Sequence, residues 1–60
     1  MPSNAQMIEM HLEEMLRETG QAGNITWGPV MGYCTGYYKE ITLDHIVAIQ
    51  ELENRGLIIK

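Results

Sequence analysis

Three stretches of the chain repeat their apolar residues at helical spacing, and two short β-prone runs lie among them. In the first stretch Ala5, Ile8, Leu12, Met15 and Leu16 fall on one arc of about 100°, which predicts a helix from Asn4 to Thr19 with one core-facing stripe. Ser3 can cap it, Gln6 three residues on completes a capping-box pattern, and Gly20 is a suitable stop. Glu13 and Arg17 stand four apart and can pair along its surface. Gln21 to Asn24 reads as a loop. Ile25-Thr26-Trp27 reads as a short strand that Gly28-Pro29 ends.

The second stretch sets two signals against each other. Val30, Met31, Tyr33, Cys34, Tyr37 and Tyr38 share one arc of a helical wheel, whereas a strand would put apolar residues on both faces. Propensity opposes helix, because two glycines and three tyrosines are poor helix formers. Periodicity is the stronger signal, so a helix from Pro29 to about Tyr38 is expected, with a tyrosine hairpin as the competing reading.

The third stretch is the most sharply bounded. Thr42 can cap it, Ile41 can pack on Ile46 as a hydrophobic staple, and Gly56 stops it after Arg55. Leu57-Ile58-Ile59 can then pair with Ile25-Trp27. This helix carries two apolar arcs, Ala48, Ile49 and Leu52 on one and Leu43, Ile46 and Val47 on the other, with Asp44, Glu51 and Arg55 on the ridge between. Either both arcs are buried under neighbouring helices, or the second is a surface for a partner.

The expected fold class is therefore mainly α with two short strands, a small α+β domain spanning residues 1–60 in the order helix, strand, helix, helix, strand. The run Ala48-Ile49-x-x-Leu52-Glu53-x-x-Gly56-Leu57-Ile58 resembles the third helix and following strand of a winged helix-turn-helix domain. The order of elements extends the resemblance over most of the chain. One departure is that a single strand follows the third helix, so the hairpin wing is missing. The resemblance implies a DNA-binding transcriptional regulator whose third helix reads a groove. Carried over by position, its outward residues are Thr42, Asp44, His45 and Glu51.

Charge points the other way. The net charge is −4, and the four basic residues Arg17, Lys39, Arg55 and Lys60 are scattered rather than clustered. Phosphate contacts supply much of the affinity of nucleic-acid binders, and base edges are read by Arg, Lys, Asn or Gln. The carboxylates of Asp44 and Glu51 would repel phosphates. A DNA-binding alternative rests on Lys39, Thr42, His45, Arg55 and Lys60, gathered onto one face in a dimer.

The first reading is a non-enzymatic module that binds protein, as a homodimer or with a partner. The partner could be a nucleic-acid-binding protein whose activity it modulates, since an acidic domain suits a basic surface. Its expected surface combines Leu43, Ile46 and Val47 with Met7, Met10 and Glu14 on the polar side of the first helix. Methionine is frequent on adaptable binding surfaces.

Other chemistry is sparse. Cys34 is the only cysteine, so no internal disulfide can form. It lies on the apolar arc of the second helix and reads as a small buried hydrophobe rather than a nucleophile. His11, Glu13 and Glu14 spell H-x-E-E, not the H-E-x-x-H zinc pattern, and no cofactor or metal is expected. Trp27, Tyr33, Tyr37 and Tyr38 have only Lys39 near them, which favours packing over stacking on single-stranded bases. Gly28, Gly32 and Gly36 recur every four residues and leave one small-residue face if the segment is helical. A chain of this length has little room for a pocket of the ~300 Å³ that small-molecule sites need. No apolar run approaches the ~20 residues of a membrane span and no signal peptide is expected, which suggests a cytoplasmic protein.

Overall fold

A computed structural model of the chain describes all 60 residues. Its elements are α1 (Asn4–Glu18), β1 (Ile25–Thr26), α2 (Trp27–Tyr38), α3 (Leu43–Asn54) and β2 (Ile58–Ile59), the expected order. No helix is long and apolar enough to cross a membrane.

Local chemistry sets most boundaries. At the start of α1 the Gln6 backbone N–H donates to Ser3 Oγ (3.2 Å), while the Ser3 N–H donates to Gln6 Oε1 (2.8 Å). Each partner thus satisfies an amide that the helix leaves free. Both α1 and α3 end on a glycine in the left-handed region, Gly20 at φ +73° and Gly56 at φ +85°. Beyond them the N–H of Gln21 reaches Leu16 O (2.8 Å) and that of Leu57 reaches Leu52 O (2.9 Å). These long-reach bonds satisfy terminal carbonyls and turn the chain back toward the core.

Helix α2 settles the contest between periodicity and propensity in favour of periodicity; no tyrosine hairpin forms. It begins at Trp27 rather than Pro29, so Trp27 is the first residue of the helix and not the last of the strand. Pro29 fits the first turn, where its missing N–H leaves no bond unmade. The helix closes at Lys39, a non-glycine residue at φ +70°.

The core is a layer of Ile8, Leu12 and Leu16 from α1, Val30 and Cys34 from α2, Ala48, Ile49 and Leu52 from α3, and Leu57 and Ile58 after it. β1 and β2 pair in parallel, Ile25 opposite Ile58 and Thr26 opposite Ile59. The Gly23 N–H donates to Leu57 O (2.7 Å) and leads into this pairing.

Polar bonds between elements fix the helices. Arg55 Nη1 lies 2.7 Å from Glu9 Oε2 and 2.8 Å from Glu13 Oε1, tying the end of α3 to the middle of α1. Arg17 holds the other Glu13 oxygen at 3.1 Å, the pairing expected along α1. Trp27 Nε1–H donates to Glu53 Oε2 (2.9 Å), tying the start of α2 to the end of α3.

Candidate functional site

Helix α3 turns one face inward and leaves the opposite face bare. His45, Ala48, Ile49 and Leu52 are buried. Laid out at about 100° per residue, the direction opposite them holds Leu43, Val47, Gln50 and Asn54. Leu43 is 81% exposed and Val47 47%. Gln50 and Asn54 are exposed as well. Ile46, at the edge of this face, is half-buried. Of the two arcs seen in the sequence, then, only that of Ala48, Ile49 and Leu52 is covered. The other stays largely uncovered because α1 approaches α3 from the side of Arg55 and β1–α2 from the side of Glu53, leaving no element over the outward face.

Helix α1 exposes the residues expected of it. Met7 is 50% and Met10 63% exposed, and Glu14 is exposed beside them. Met7 meets α3 across a cleft of about 360 Å³ lined by Asn4, Met7, Ile8, Tyr38, Thr42, Asp44 and His45. Met10 instead lines separate shallow grooves, one with Glu13, Glu14, Arg17 and Glu18. The structure therefore brings Met7 to the N-terminus of α3 but does not merge Met10 and Glu14 with Leu43 and Val47. The cleft also exceeds the size expected of so short a chain, though it opens to solvent and is a groove between helix ends rather than an enclosed pocket.

The residues of the nucleic-acid alternative scatter in space and in role. The guanidinium of Arg55 is held between Glu9 and Glu13, whose hydrogen bonds raise its pKa further. His45, placed outward by the winged-helix resemblance, is only 5% exposed. Its direction on α3 matches that of Ala48, Ile49 and Leu52, so it belongs to the buried face. Its Nδ1 accepts the backbone N–H of Thr42 (3.1 Å), the role a glutamate usually takes at the third position of a capping box. A ring that accepts at Nδ1 carries its proton on Nε2. That nitrogen is buried with no partner in the protein. Thr42 is the residue before α3, its backbone and hydroxyl both within 3.1 Å of this ring nitrogen. Lys39 and Lys60 are exposed and form no ion pair, at the end of α2 and after β2.

The three tyrosines of α2 gather with His11 of α1 and His45 of α3. His11 Nε2 and the Tyr33 hydroxyl lie 2.8 Å apart. The His11 ring sits 4.7 Å from that of Tyr37, Tyr37 4.9 Å from Tyr38, and Tyr38 packs edge-on to His45 at 4.6 Å. Burial pushes the Tyr33 and Tyr38 hydroxyls above their ordinary pKa. Cys34 is fully buried, and burial pushes its thiol up as well, away from the thiolate a nucleophile needs. No three His, Cys, Asp or Glu side chains converge in a way that could hold a metal ion.

Two features escaped sequence reading. Gln50 and Asn54 complete the outward stripe of α3, and a search confined to apolar arcs passes over them. The capping role of His45 was present in the spacing Thr42-x-x-His45, but histidine is a rare occupant of that position. Compared with protein-family models, curated proteins and solved structures, the chain matches none.

Proposed function

We propose that this chain is a non-enzymatic protein-interaction module that works through the outward face of α3. The observation that carries this reading is the exposure of Leu43 and Val47 on a helix whose other side is fixed by the core, by Arg55 and by Glu53. A rigid helix offering aliphatic side chains to solvent suits a partner that lays a complementary surface against it. Met7, beside the N-terminus of α3, extends the face across the cleft, and Met10 and Glu14 offer a second contact on α1. The DNA-binding regulator implied by the winged-helix resemblance has less support. Arg55 is neutralised and His45 is buried, which leaves Lys39 and Lys60 as the unpaired cations of its set.

A random-peptide display library panned on the protein tests the reading. Binders that lose affinity on the double variant Leu43→Gln/Val47→Gln support it, while a library that returns only binders indifferent to both substitutions overturns it. Titration with mixed-sequence duplex DNA at roughly 50 mM and roughly 200 mM salt tests the alternative, because phosphate-driven binding falls steeply over that range. No binding is expected at either concentration.

A further inference from the structure

The outward stripe of α3 has the spacing of a helix-pairing seam. Its positions 43, 47, 50 and 54 advance by four, three and four residues, the alternation that keeps one line of side chains facing a second helix. In heptad terms Leu43 and Gln50 occupy d positions, and Val47 and Asn54 occupy a positions. Leu43 and Val47 are the apolar members of this line, and Gln50 and Asn54 continue it with amide groups that can hydrogen-bond a partner.

The residues flanking the seam say what kind of helix. On one side stand Asp44 and Glu51, neither in an ion pair, and Glu51 is exposed. On the other stand Ile46 and Glu53, the latter held by Trp27. Arg55, the cation that follows the last residue of α3, is occupied by Glu9 and Glu13. A second copy of this chain fits such a seam poorly. Packed antiparallel, it sets Asp44 against Glu51 of the other copy; packed parallel, it sets the Glu51 carboxylate against Ile46. Like charges oppose the antiparallel pairing, and the parallel one sets a carboxylate against an aliphatic side chain that cannot pair with it. A basic flank meets no such obstacle.

Resting on the protein-interaction reading above, we infer that the partner is a basic amphipathic helix of another protein, docked lengthwise along Leu43, Val47, Gln50 and Asn54. Lysine or arginine side chains flank its apolar seam and lie against Asp44 and Glu51. One turn of apolar contact makes a small interface, and the charges steer encounter and select the partner.

The test uses labelled synthetic helices of ~21 residues, about three heptads. One has leucine at a and d with lysine in the flanking positions; a second replaces each lysine with glutamate; a third scrambles the first. Fluorescence anisotropy with the full chain should show binding of the ordered lysine peptide alone, weakening as salt rises from roughly 50 to roughly 200 mM. Leu43→Gln/Val47→Gln should weaken that binding about tenfold or more, with the melting temperature confirming an intact fold, as exposed substitutions normally leave it. Glu51→Lys, also exposed, should weaken the lysine peptide and strengthen the glutamate peptide. Equal binding of the scrambled and ordered lysine peptides, or no effect of either variant, overturns the inference. Failure of all three peptides also overturns it. If the display library still yields Leu43-dependent binders that carry no basic flank, the interaction reading survives and only the basic-helix partner falls. Self-association that the Leu43→Gln/Val47→Gln variant abolishes would identify a second copy as the occupant and overturn the inference in the same way.

Discussion

Individual side chains here often serve two neighbours at once, and Glu13 is the clearest case. Its carboxylate accepts from Arg55 across the helix interface and from Arg17 along α1, and the Arg55 hydrogen bond is the main reason its pKa falls below the ordinary 4.5. A carboxylate with a depressed folded pKa favours the folded state above the unfolded value and loses that contribution as pH falls through the folded one. Glu13→Gln should therefore flatten the acid limb of the stability profile below about pH 4.5 while lowering stability near neutrality, as urea titrations at pH 3 and pH 7 can show. Lys39 is a residue in a glycine's conformation, at φ +70°. A left-handed backbone costs a side-chain-bearing residue roughly 1–2 kcal/mol, so Lys39→Gly should raise stability by up to about 1 kcal/mol once the entropy of the freer unfolded chain is subtracted. Denaturant midpoints would register that gain.

Among the elements, α2 is the one that the sequence left open between two structures. Helix wins because its apolar arc delivers Val30 and Cys34 to the core, a gain that outweighs weak propensity. The same propensity cost is recoverable. Gly32 and Gly36 are exposed, and a methyl group at either meets nothing within 4 Å. Alanine at each should stabilise the domain by about 0.5–1 kcal/mol, since helix-interior glycine is worse than alanine by that amount. If thermal melts of Gly32→Ala and Gly36→Ala rise while peptide binding is unchanged, the small-residue face of α2 is not a contact surface. The ends of α1 are legible because the Ser3–Gln6 box, the Gly20 stop and the Glu13–Arg17 pair each involve residues no more than five apart. The third helix was harder. Its two apolar arcs look alike in sequence, and nothing in the order of residues says that only one will be covered. His45 was drawn to the wrong side by the winged-helix resemblance, although on the helical wheel it shares the direction of Ala48, Ile49 and Leu52, the arc that is buried.

For the whole molecule, size is the controlling fact. At roughly 0.05–0.15 kcal/mol per residue, 60 residues hold about 3–9 kcal/mol of net stability. Leu16 is fully buried between the helices. Truncating such a residue costs about 2–5 kcal/mol, so Leu16→Ala should leave a large fraction of the chain unfolded at room temperature, visible as lost helical circular dichroism. Leu43 and Val47 are two of several exposed large apolar residues, with Met1, Met7, Met10, Tyr37 and Ile59; what sets them apart is that they stand one turn apart on a single face of a helix whose other side is packed.

While it left α2 open between helix and hairpin and misplaced its start, the sequence by itself determined the ends of α1 and α3 and the inward stripe of α1. Those follow from interactions among residues close in the chain: spacing, caps, left-handed glycines and neighbouring charges. Tertiary structure alone decided that the β strands run parallel, that Arg55 is silenced by Glu9 and Glu13, that Trp27 is tied to Glu53, and that His45 goes inside while Leu43 stays out. Each of these depends on which surfaces meet when separate helices pack. A 12-residue helix with two apolar faces is compatible with more than one such meeting until its neighbours are in place.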